Sequence, residues 1–184
     1  MTLKNIAVSA LADIAKHTPE LAQAVVDAGA VSYIAPLIAS KDAKVRRQVC
    51  ACLAQIAKHS VELAELVVEG EIFPRALVLL RDSDQLTARN AATLVREIVK
   101  HSSELAQLVV NAGGIGALVE FISVQKGANR LPGIMALGFI ASFSETLALS
   151  IIVAKGVTPL VACLASEEED HILAATVWTL GQIG

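Results

Sequence analysis

Large aromatic side chains are nearly absent from this chain. They account for 3% of its 184 residues, although 54% of the residues are apolar. A core with so few rings must be filled by Ala, Val, Leu and Ile, which is how closely spaced helices pack. The composition therefore favours an all-helical fold.

The chain also has only a small excess of one charge sign and few cysteines. The net charge of −3 is too small to imply nucleic acid or an anionic membrane as the partner. Three cysteines are an odd number without paired spacing, which argues against a disulfide framework and fits a reducing compartment.

Long hydrophobic runs and catalytic motifs are missing as well. The longest uncharged runs, residues 105–119 and 131–144, are shorter than the roughly 20 residues that a membrane-spanning helix needs. No phosphate-binding glycine loop, G-x-S-x-G elbow or H-E-x-x-H motif occurs. We therefore predict a protein without enzymatic activity, cofactor, membrane segment or small-molecule substrate.

What the chain has instead is an internal repeat. The phrase "IAKHTPELAQAVVDAGAV" at residues 14–31 returns as "IAKHSVELAELVVEGEIF" at 56–73 and as "IVKHSSELAQLVVNAGGI" at 98–115. The interval is 42 residues both times, and a weaker copy, "IASFSETLALSIIVAKGV", follows at 140–157. The chain is thus predicted to be a repeat array over residues 1–184, with a partial repeat at 1–17 and full repeats at 18–59, 60–101, 102–143 and 144–184.

Each period predicts three helices. A long helix with apolar residues at helical spacing ends at a Lys-His pair, and Thr18, Ser60 and Ser102 then stand where an N-cap belongs. A second helix is therefore expected to begin at each of these N-caps. It should stop at Gly29 in the first case and at Gly113 in the third, because glycine readily takes the left-handed conformation of a C-cap. A third, short helix follows in each period, in the first case through Ile34, Leu37 and Ile38.

A period of about 42 residues with three helices is typical of armadillo repeats. The predicted fold is an all-α armadillo-repeat right-handed superhelical solenoid, in which stacked units bury a shared core and leave a long concave groove. The long helix of each repeat is expected to line that groove.

The groove residues follow from the repeat columns. "WTLGQIG" resembles the armadillo phrase in which a Trp and an Asn four residues later face the groove, and here these residues are Trp178 and Gln182. The earlier repeats place Ser9, Ala51, Thr93 and Met135 in the tryptophan column and Asp13, Gln55, Glu97 and Phe139 in the asparagine column. Nuclear import receptors of this fold hold basic peptides with successive Trp-Asn pairs, so the missing ladder argues against that activity.

One helical turn earlier, the same face carries Arg47, Arg89 and Leu131. We predict a basic, polar first half of the groove and an apolar second half, which would suit an amphipathic partner. The alternative is that Met135 and Phe139 belong partly to the core and that the arginines are merely solvated. The candidate partner-binding residues are Arg47, Gln55, Arg89, Thr93, Leu131, Met135, Phe139, Trp178 and Gln182.

Metal binding is not expected. His17, His59 and His101 occupy equivalent positions in stacked repeats, roughly 8–10 Å apart, and so cannot share one ion. We interpret them as residues that cap helix C-termini. Cys50 and Cys52 project to different sides of one helix, Cys163 is predicted to be a core residue, and the acidic stretch 167–170 is expected to stabilise the start of the last long helix.

Beyond the repeat pattern, four segments carry a more specific resemblance: "ALADIAKHTPELAQAVVDAGAV", "LVREIVKHSSELAQLVVNAGG", "NRLPGIMALGFIASFSETLALSIIVAKGV" and "EEEDHILAATVWTLGQIG". They closely resemble the sperm-associated antigen six family of ciliary central-apparatus proteins. The resemblance runs over all 184 residues. It departs at Gly70-Glu71, where the first and third copies read Ala28-Gly29 and Ala112-Gly113, so that helix end is expected to differ.

The resemblance implies a cytoplasmic, cytoskeletal scaffold in the central pair of motile cilia and flagella. Its partners would be other axonemal central-apparatus proteins, with microtubules as a further candidate. An adaptor or transport receptor that binds a peptide in the groove is the alternative, and a regulatory enzyme subunit is a third. Because the chain starts inside a long helix at Met1-Thr2 and stops inside another at Gly184, we also expect a fragment of a longer array.

Overall fold

The computed structural model describes residues 3–184 and leaves Met1 and Thr2 outside the described residues. Within that range the chain is all helical, with thirteen α-helices and no strand, which confirms the predicted fold class. The helices are α1 (Leu3–Ala15), α2 (Pro19–Asp27), α3 (Ala30–Ile34), α4 (Ala43–Ala57), α5 (Val61–Glu69), α6 (Phe73–Leu79), α7 (Gln85–Val99), α8 (Ser103–Asn111), α9 (Gly114–Val124), α10 (Leu131–Phe143), α11 (Glu145–Val153), α12 (Val157–Ser166) and α13 (Asp170–Ile183).

The long helices α1, α4, α7, α10 and α13 pack side by side in chain order and form one layer. The shorter helices between them pack against this layer and against their counterparts in the next repeat. One hydrophobic core runs through all the repeats, with Ile38, Leu53, Leu94 and Ile140 among its fully buried side chains. Each repeat therefore completes its core with the residues of its neighbours.

The predicted N-caps are confirmed. The hydroxyls of Thr18, Ser60 and Ser102 each accept a hydrogen bond of 3.2 Å from the backbone N–H three residues later. Ser144 caps α11 in the same way, at 3.3 Å, although its repeat is the least similar in sequence. The second helix of every repeat therefore starts with a satisfied backbone donor.

The third helix of the first full repeat is shorter than predicted. It ends at Ile34, and a 3₁₀ segment over Ala35–Ala39 carries Leu37 and Ile38 instead. Pro36 explains the difference, because proline has no N–H with which to continue the hydrogen-bond ladder of α3. Ile38 is nevertheless fully buried, so the tighter turn preserves its place in the core.

The C-terminal turn of the second helix needs a left-handed residue in every repeat. Gly29 and Gly113 take this conformation, with φ of 76° and 80°, as predicted. The two equivalent positions hold Glu71 and Lys155, and they adopt it too, with φ of 52° and 61°. The helix end that the sequence marks as irregular therefore keeps its geometry, at the expense of an unfavourable backbone conformation for a residue with a Cβ.

Hydrogen bonds from two of the Lys-His pairs join their repeats to the repeat before. The Nε2–H groups of His59 and His101 donate to the carbonyl oxygens of Ala15 and Ala57, both at 2.7 Å. Lys58 Nζ donates to the carbonyl oxygen of Lys16, also at 2.7 Å. Carbonyls at the end of a helix lack partners within it. The histidines thus cap the long helix of the preceding repeat rather than their own.

We predict that replacing Glu71 or Lys155 by glycine stabilises the protein by roughly 0.5–1 kcal/mol each. Glycine relieves the backbone strain of the left-handed conformation in the folded state. This gain exceeds the stability that is lost because glycine raises the conformational entropy of the unfolded chain. Chemical denaturation of the single and double variants measures this. The control is Gly113→Ala, whose new Cβ would meet no atom within 4 Å. This variant should lose about 1 kcal/mol of stability, because alanine at a positive φ is strained even where there is space for its Cβ. A loss of stability in the glycine variants would contradict the prediction.

We also predict that His101 makes stability depend on pH. Burial lowers its pKa below the ordinary 6.5 and outweighs the opposing effect of the hydrogen bond to Ala57. The contribution of His101 is therefore complete above pH 6.5 and is lost as the pH falls below it. Between pH 7.5 and 5.5, the free energy of unfolding should fall more for the unmodified protein than for His101→Gln, which keeps a donor but does not titrate.

The matched control for His101→Gln is His17→Gln, because His17 lies exposed on the surface. The control variant should retain the pH dependence of the unmodified protein. Equal pH dependence in His101→Gln and the unmodified protein would contradict the assignment to His101.

Candidate partner-binding face

The residues predicted to meet a partner all lie on the four long helices α4, α7, α10 and α13. We call their outward-facing surface the long-helix face. Most of these side chains are half-buried, and Arg89 is exposed. The half-buried residues are Arg47, Gln55, Thr93, Leu131, Met135, Phe139, Trp178 and Gln182.

The apolar second half of this face consists of Leu131, Met135, Phe139 and Trp178, which we call the apolar patch. The rings of Phe139 and Trp178 meet edge to face, with centroids 5.2 Å apart and an interplanar angle of 67°. This geometry is favourable for two aromatic rings. Phe139 also packs against the hydrophobic core. The patch is therefore a partly exposed extension of the core, which combines the two alternatives that the sequence left open.

Gly138 determines where the indole of Trp178 can lie. A Cβ at this position would come within 2.2 Å of the indole and 2.7 Å of the hydroxyl of Thr179. That hydroxyl is buried and donates to the carbonyl oxygen of Ile134 at 3.0 Å. The missing side chain thus lets α13 lie directly on α10 and holds the indole in place.

Arg47 is engaged within the protein. Its guanidinium forms a two-pronged ion pair with the carboxylate of Asp84, and the Nε to Oδ2 distance is 2.6 Å. The same carboxylate caps α7 by accepting from the backbone N–H of Thr87 at 2.8 Å. The hydrogen bond from Arg47 outweighs partial burial and holds the pKa of Asp84 well below its ordinary value. Arg47 thus joins two repeats, and the sequence columns did not reveal its partner.

Arg46 forms a parallel connection one residue away. Its guanidinium donates to both carboxylate oxygens of Asp82, at 2.8 and 3.0 Å, and to the carbonyl oxygen of Ser40 at 2.9 Å. Two adjacent arginines of α4 are therefore occupied by two aspartates before α7. The Arg-x₃₅-Asp and Arg-x₃₆-Asp spacings are the sequence signal for this contact.

Arg89 lies one repeat after Arg47 but differs from it. Among residues 3–184 its guanidinium forms no ion pair and no hydrogen bond, whereas its backbone carbonyl accepts a hydrogen bond of 2.9 Å from the hydroxyl of Thr93. The position equivalent to Asp84 is Lys126, which is also exposed. Of the two arginines predicted to meet a partner, Arg89 is the one whose charge is available.

The asparagine column holds a charged cluster in the middle of the face. Glu97 is 7% exposed and is paired with both Arg96 and Lys100. Burial works to raise the pKa of Glu97, but the hydrogen bonds from these two cations outweigh it and the pKa is lowered. In the preceding repeat, Lys58 donates to Gln55 Oε1 at 2.6 Å. Both side chains are thus held by a cation three residues later.

No metal site is formed by the described part of the chain, where no group of three His, Cys, Asp or Glu side chains is arranged to hold an ion. Burial raises the pKa of Cys50 and of Cys52 to about 12 in each case, so both remain thiols. Cys163 is 2% exposed and lies in the core, as predicted.

Across residues 3–184, no helix is by itself long and apolar enough to cross a membrane. Three pairs of shorter helices reach the required length and hydropathy only when they are taken together, and each pair is bent by more than 40°.

Comparison with known proteins agrees with this architecture. Residues 18–58 match the family model of the armadillo/beta-catenin-like repeat. An engineered protein from the Northeast Structural Genomics Consortium is similar over 97% of this chain and 72% of its own, with 27% identity and a TM-score of 0.92. No curated protein sequence matches the chain significantly.

Two designed proteins share the fold at lower identity. One is a designed armadillo repeat protein in complex with the peptide (KR)4, with 21% identity, a TM-score of 0.92, and coverage of 98% of this chain and 75% of that one. Another, computationally designed for modular peptide recognition, has 23% identity, a TM-score of 0.90, and coverage of 96% and 74%. The chain is thus an all-helical armadillo-repeat solenoid, as predicted.

We predict that Arg47→Ala lowers the melting temperature more than Arg89→Ala. The first change removes an ion pair between repeats and leaves the α7 cap without its cation, whereas the second removes a solvated charge. Thermal unfolding followed by circular dichroism provides the comparison. The double variant Arg47→Ala/Asp84→Asn should lose less stability than the sum of the losses of the two single variants. Additive effects would show that the pair contributes nothing.

Proposed function

We propose that this protein is a non-enzymatic interaction scaffold that binds a segment of a protein partner along the long-helix face. The observation that carries the proposal is the apolar patch, in which a tryptophan is held in place by neighbouring helices while part of its surface stays accessible. Tryptophans in such positions commonly dominate binding energy at protein interfaces.

The layout of the face supports binding of a chain segment rather than of a small molecule. The candidate residues extend over four successive helices, and neighbouring helices are roughly 10 Å apart. A surface of this length matches an extended or helical segment whose side chains meet several repeats in turn. The patch would supply the apolar anchor, and the polar half would fix the direction and register of the segment.

The setting we propose is the central pair of motile cilia and flagella, where the protein would be cytoplasmic and bound to the cytoskeleton. The support is the resemblance of the sequence to the sperm-associated antigen six family over its whole length. Other central-apparatus proteins, and the central microtubules themselves, would then be the partners. A rigid array of repeats suits this role, because it presents separate contact sites at fixed spacing.

An adaptor or transport receptor that holds a peptide in the groove is the second candidate. One designed protein of the same fold is in complex with the basic peptide (KR)4, and another was designed for modular peptide recognition. In this chain the tryptophan column holds Ser9, Ala51 and Thr93 in the first repeats, so successive indoles are not available to hold basic side chains. Recognition of a basic peptide by such a ladder is therefore disfavoured.

We predict that Met135→Glu weakens co-sedimentation with isolated axonemal central pairs at least tenfold. A charge in the middle of the apolar patch would remove a central contact, and such contacts are commonly worth 2 kcal/mol or more. The matched control is Val124→Glu, which introduces the same charge at an exposed apolar residue of α9, outside the long-helix face. It should bind like the unmodified protein.

Circular dichroism must show the same helical content for both variants, so that weaker binding reports the surface and not the fold. Unchanged co-sedimentation of Met135→Glu would rule out the long-helix face as the binding surface. Proximity labelling in a motile cilium tests the setting separately. Labelling confined to proteins outside the axoneme would favour the adaptor.

A further inference from the structure

A cavity opens between α9, α12 and the loop before α10, outside the long-helix face. Its volume is about 370 Å³, which falls within the size range of ligand sites in proteins. The lining combines apolar side chains, hydroxyl groups and one guanidinium, and includes Ile122, Ser123, Arg130, Pro159, Ala162 and Ser166.

The cavity exists because two small residues replace an ion pair. One repeat earlier, Arg81 donates to the carboxylate of Glu120 at 2.7 Å, and both side chains line a smaller cavity of about 210 Å³. The residues 42 positions after Arg81 and Glu120 are Ser123 and Ala162. These side chains are too short to meet across the gap between α9 and α12, so the space that the ion pair spans in one repeat is open in the next.

Arg130 supplies unused hydrogen-bond donors to this cavity. Its side chain is only 10% exposed, and its Nε–H donates to the carbonyl oxygen of Gln125 at 2.9 Å. The two terminal amino groups form no hydrogen bond with any residue from 3 to 184, and neither nitrogen is sealed from solvent. A guanidinium carries five N–H donors, so four of them have no acceptor.

The equivalent arginine in an earlier repeat is saturated. Arg46 lies 84 residues before Arg130, which is two periods of 42. Its guanidinium donates to both carboxylate oxygens of Asp82 and to two backbone carbonyl groups. The position between the two arginines holds Ala88, which is fully buried. A repeat can therefore fold without arginine at this position, and the open donors of Arg130 are not a requirement of the fold.

Two serines supply acceptors on the other walls of the cavity. The hydroxyl of Ser123 donates to the carbonyl oxygen of Val119 at 2.7 Å, and that of Ser166 donates to the carbonyl oxygen of Ala162 at 2.9 Å. A hydroxyl has one hydrogen to donate, so each of these oxygens offers only lone pairs to a ligand. The cavity thus presents donors on one side and acceptors on the other.

The charges around the cavity favour a neutral ligand. Glu167 is 12% exposed, and its carboxylate lies 4.0 Å from Nε of Arg130, which balances the charge of the guanidinium. Two further acidic residues, Glu168 and Glu169, follow directly. An anion would be repelled by these carboxylates, whereas a cation could not accept the hydrogen bonds that Arg130 offers.

We propose that this cavity binds a primary carboxamide, the side-chain group of Gln or Asn in a partner polypeptide. A carboxamide is neutral and planar, with an acceptor on one side and two donors on the other. Its carbonyl oxygen accepts from the amino groups of Arg130, and its NH₂ group donates to Ser123 and Ser166. Because the site lies outside the long-helix face, it is a second contact point that does not depend on the proposed function.

Small probes of matched shape test the chemistry. The methyl resonances of Ile122, which lines the cavity, report binding in NMR titrations of the isotope-labelled protein. Propionamide should shift them saturably. Propionate, which has a charge and no donor, and 2-butanone, which is neutral and has no donor, should bind at least fivefold more weakly.

Tripeptides test the source of the carboxamide. Acetyl-Ala-Gln-Ala methylamide should shift the same resonances and compete with propionamide. The matched peptides with Glu or Met in place of Gln should bind at least fivefold more weakly.

Variants of the protein locate the site. Arg130→Ala removes the donors and reproduces the residue found at Ala88. The double variant Ser123→Arg/Ala162→Glu leaves Arg130 in place and restores the ion pair that spans the preceding cavity. Each should weaken propionamide at least fivefold while circular dichroism shows unchanged helical content. The matched control, Arg81→Ser, makes the corresponding change one repeat earlier and should bind like the unmodified protein.

Three results would overturn the proposal: no saturable shift with propionamide, propionate binding as tightly as propionamide, or full affinity in the double variant. If propionamide binds and the Gln peptide does not, the site takes a free amide and the assignment to a partner polypeptide fails. None of these results bears on the central-pair binding that Met135→Glu tests, so the two proposals fail separately.

Discussion

The structure depends on the fact that no repeat can complete itself. Each set of three helices leaves apolar side chains and helix-terminal carbonyl groups that only the next set can cover, so the repeats are stable as a stack. The apolar part of this contact is a continuous core of Ala, Val, Leu and Ile, and the polar part includes His59 and His101 bonded to the carbonyls of Ala15 and Ala57. Because the same contact recurs every 42 residues, the backbone is regular even where the sequence is not. Glu71 and Lys155 take a conformation better suited to glycine for that reason.

A regular backbone allows the exposed face to vary. The long helices present equivalent positions at equal intervals, and the side chains at those positions change from one repeat to the next. One column runs from an arginine paired with Asp84, through Arg89, which forms no ion pair with the described residues, to the apolar Leu131. The adjacent columns end in the aromatic contact between Phe139 and Trp178. Thus the stack supplies a rigid frame, and substitution along its columns creates a surface with a basic part and an apolar part.

Several features of the site follow from the repeat columns without coordinates. The columns identify which residues share a face, and they predict that the face changes from polar to apolar along the array. They do not show that Arg47 is occupied, because Asp84 lies in the following repeat and its role depends on how closely two helices approach. Glu97 is a similar case. Its position in the asparagine column suggests a group that faces a partner, whereas the folded chain surrounds it with Arg96 and Lys100. Similarly, Gly138 becomes meaningful only when the indole of Trp178 lies against it.

The sequence alone determined the repeat length, the three-helix unit, the N-caps at Thr18, Ser60 and Ser102, and the helix-ending glycines. These features depend on contacts within a few residues or on a period that is visible by inspection, so local chemistry is enough to predict them. Tertiary structure decided which cations are free and where the histidines donate their hydrogen bonds. It also decided how the aromatic residues divide between core and surface. Each of these outcomes is set by atoms about 40 residues apart in the chain, and ångström-scale distances across a helix interface cannot be read from periodicity.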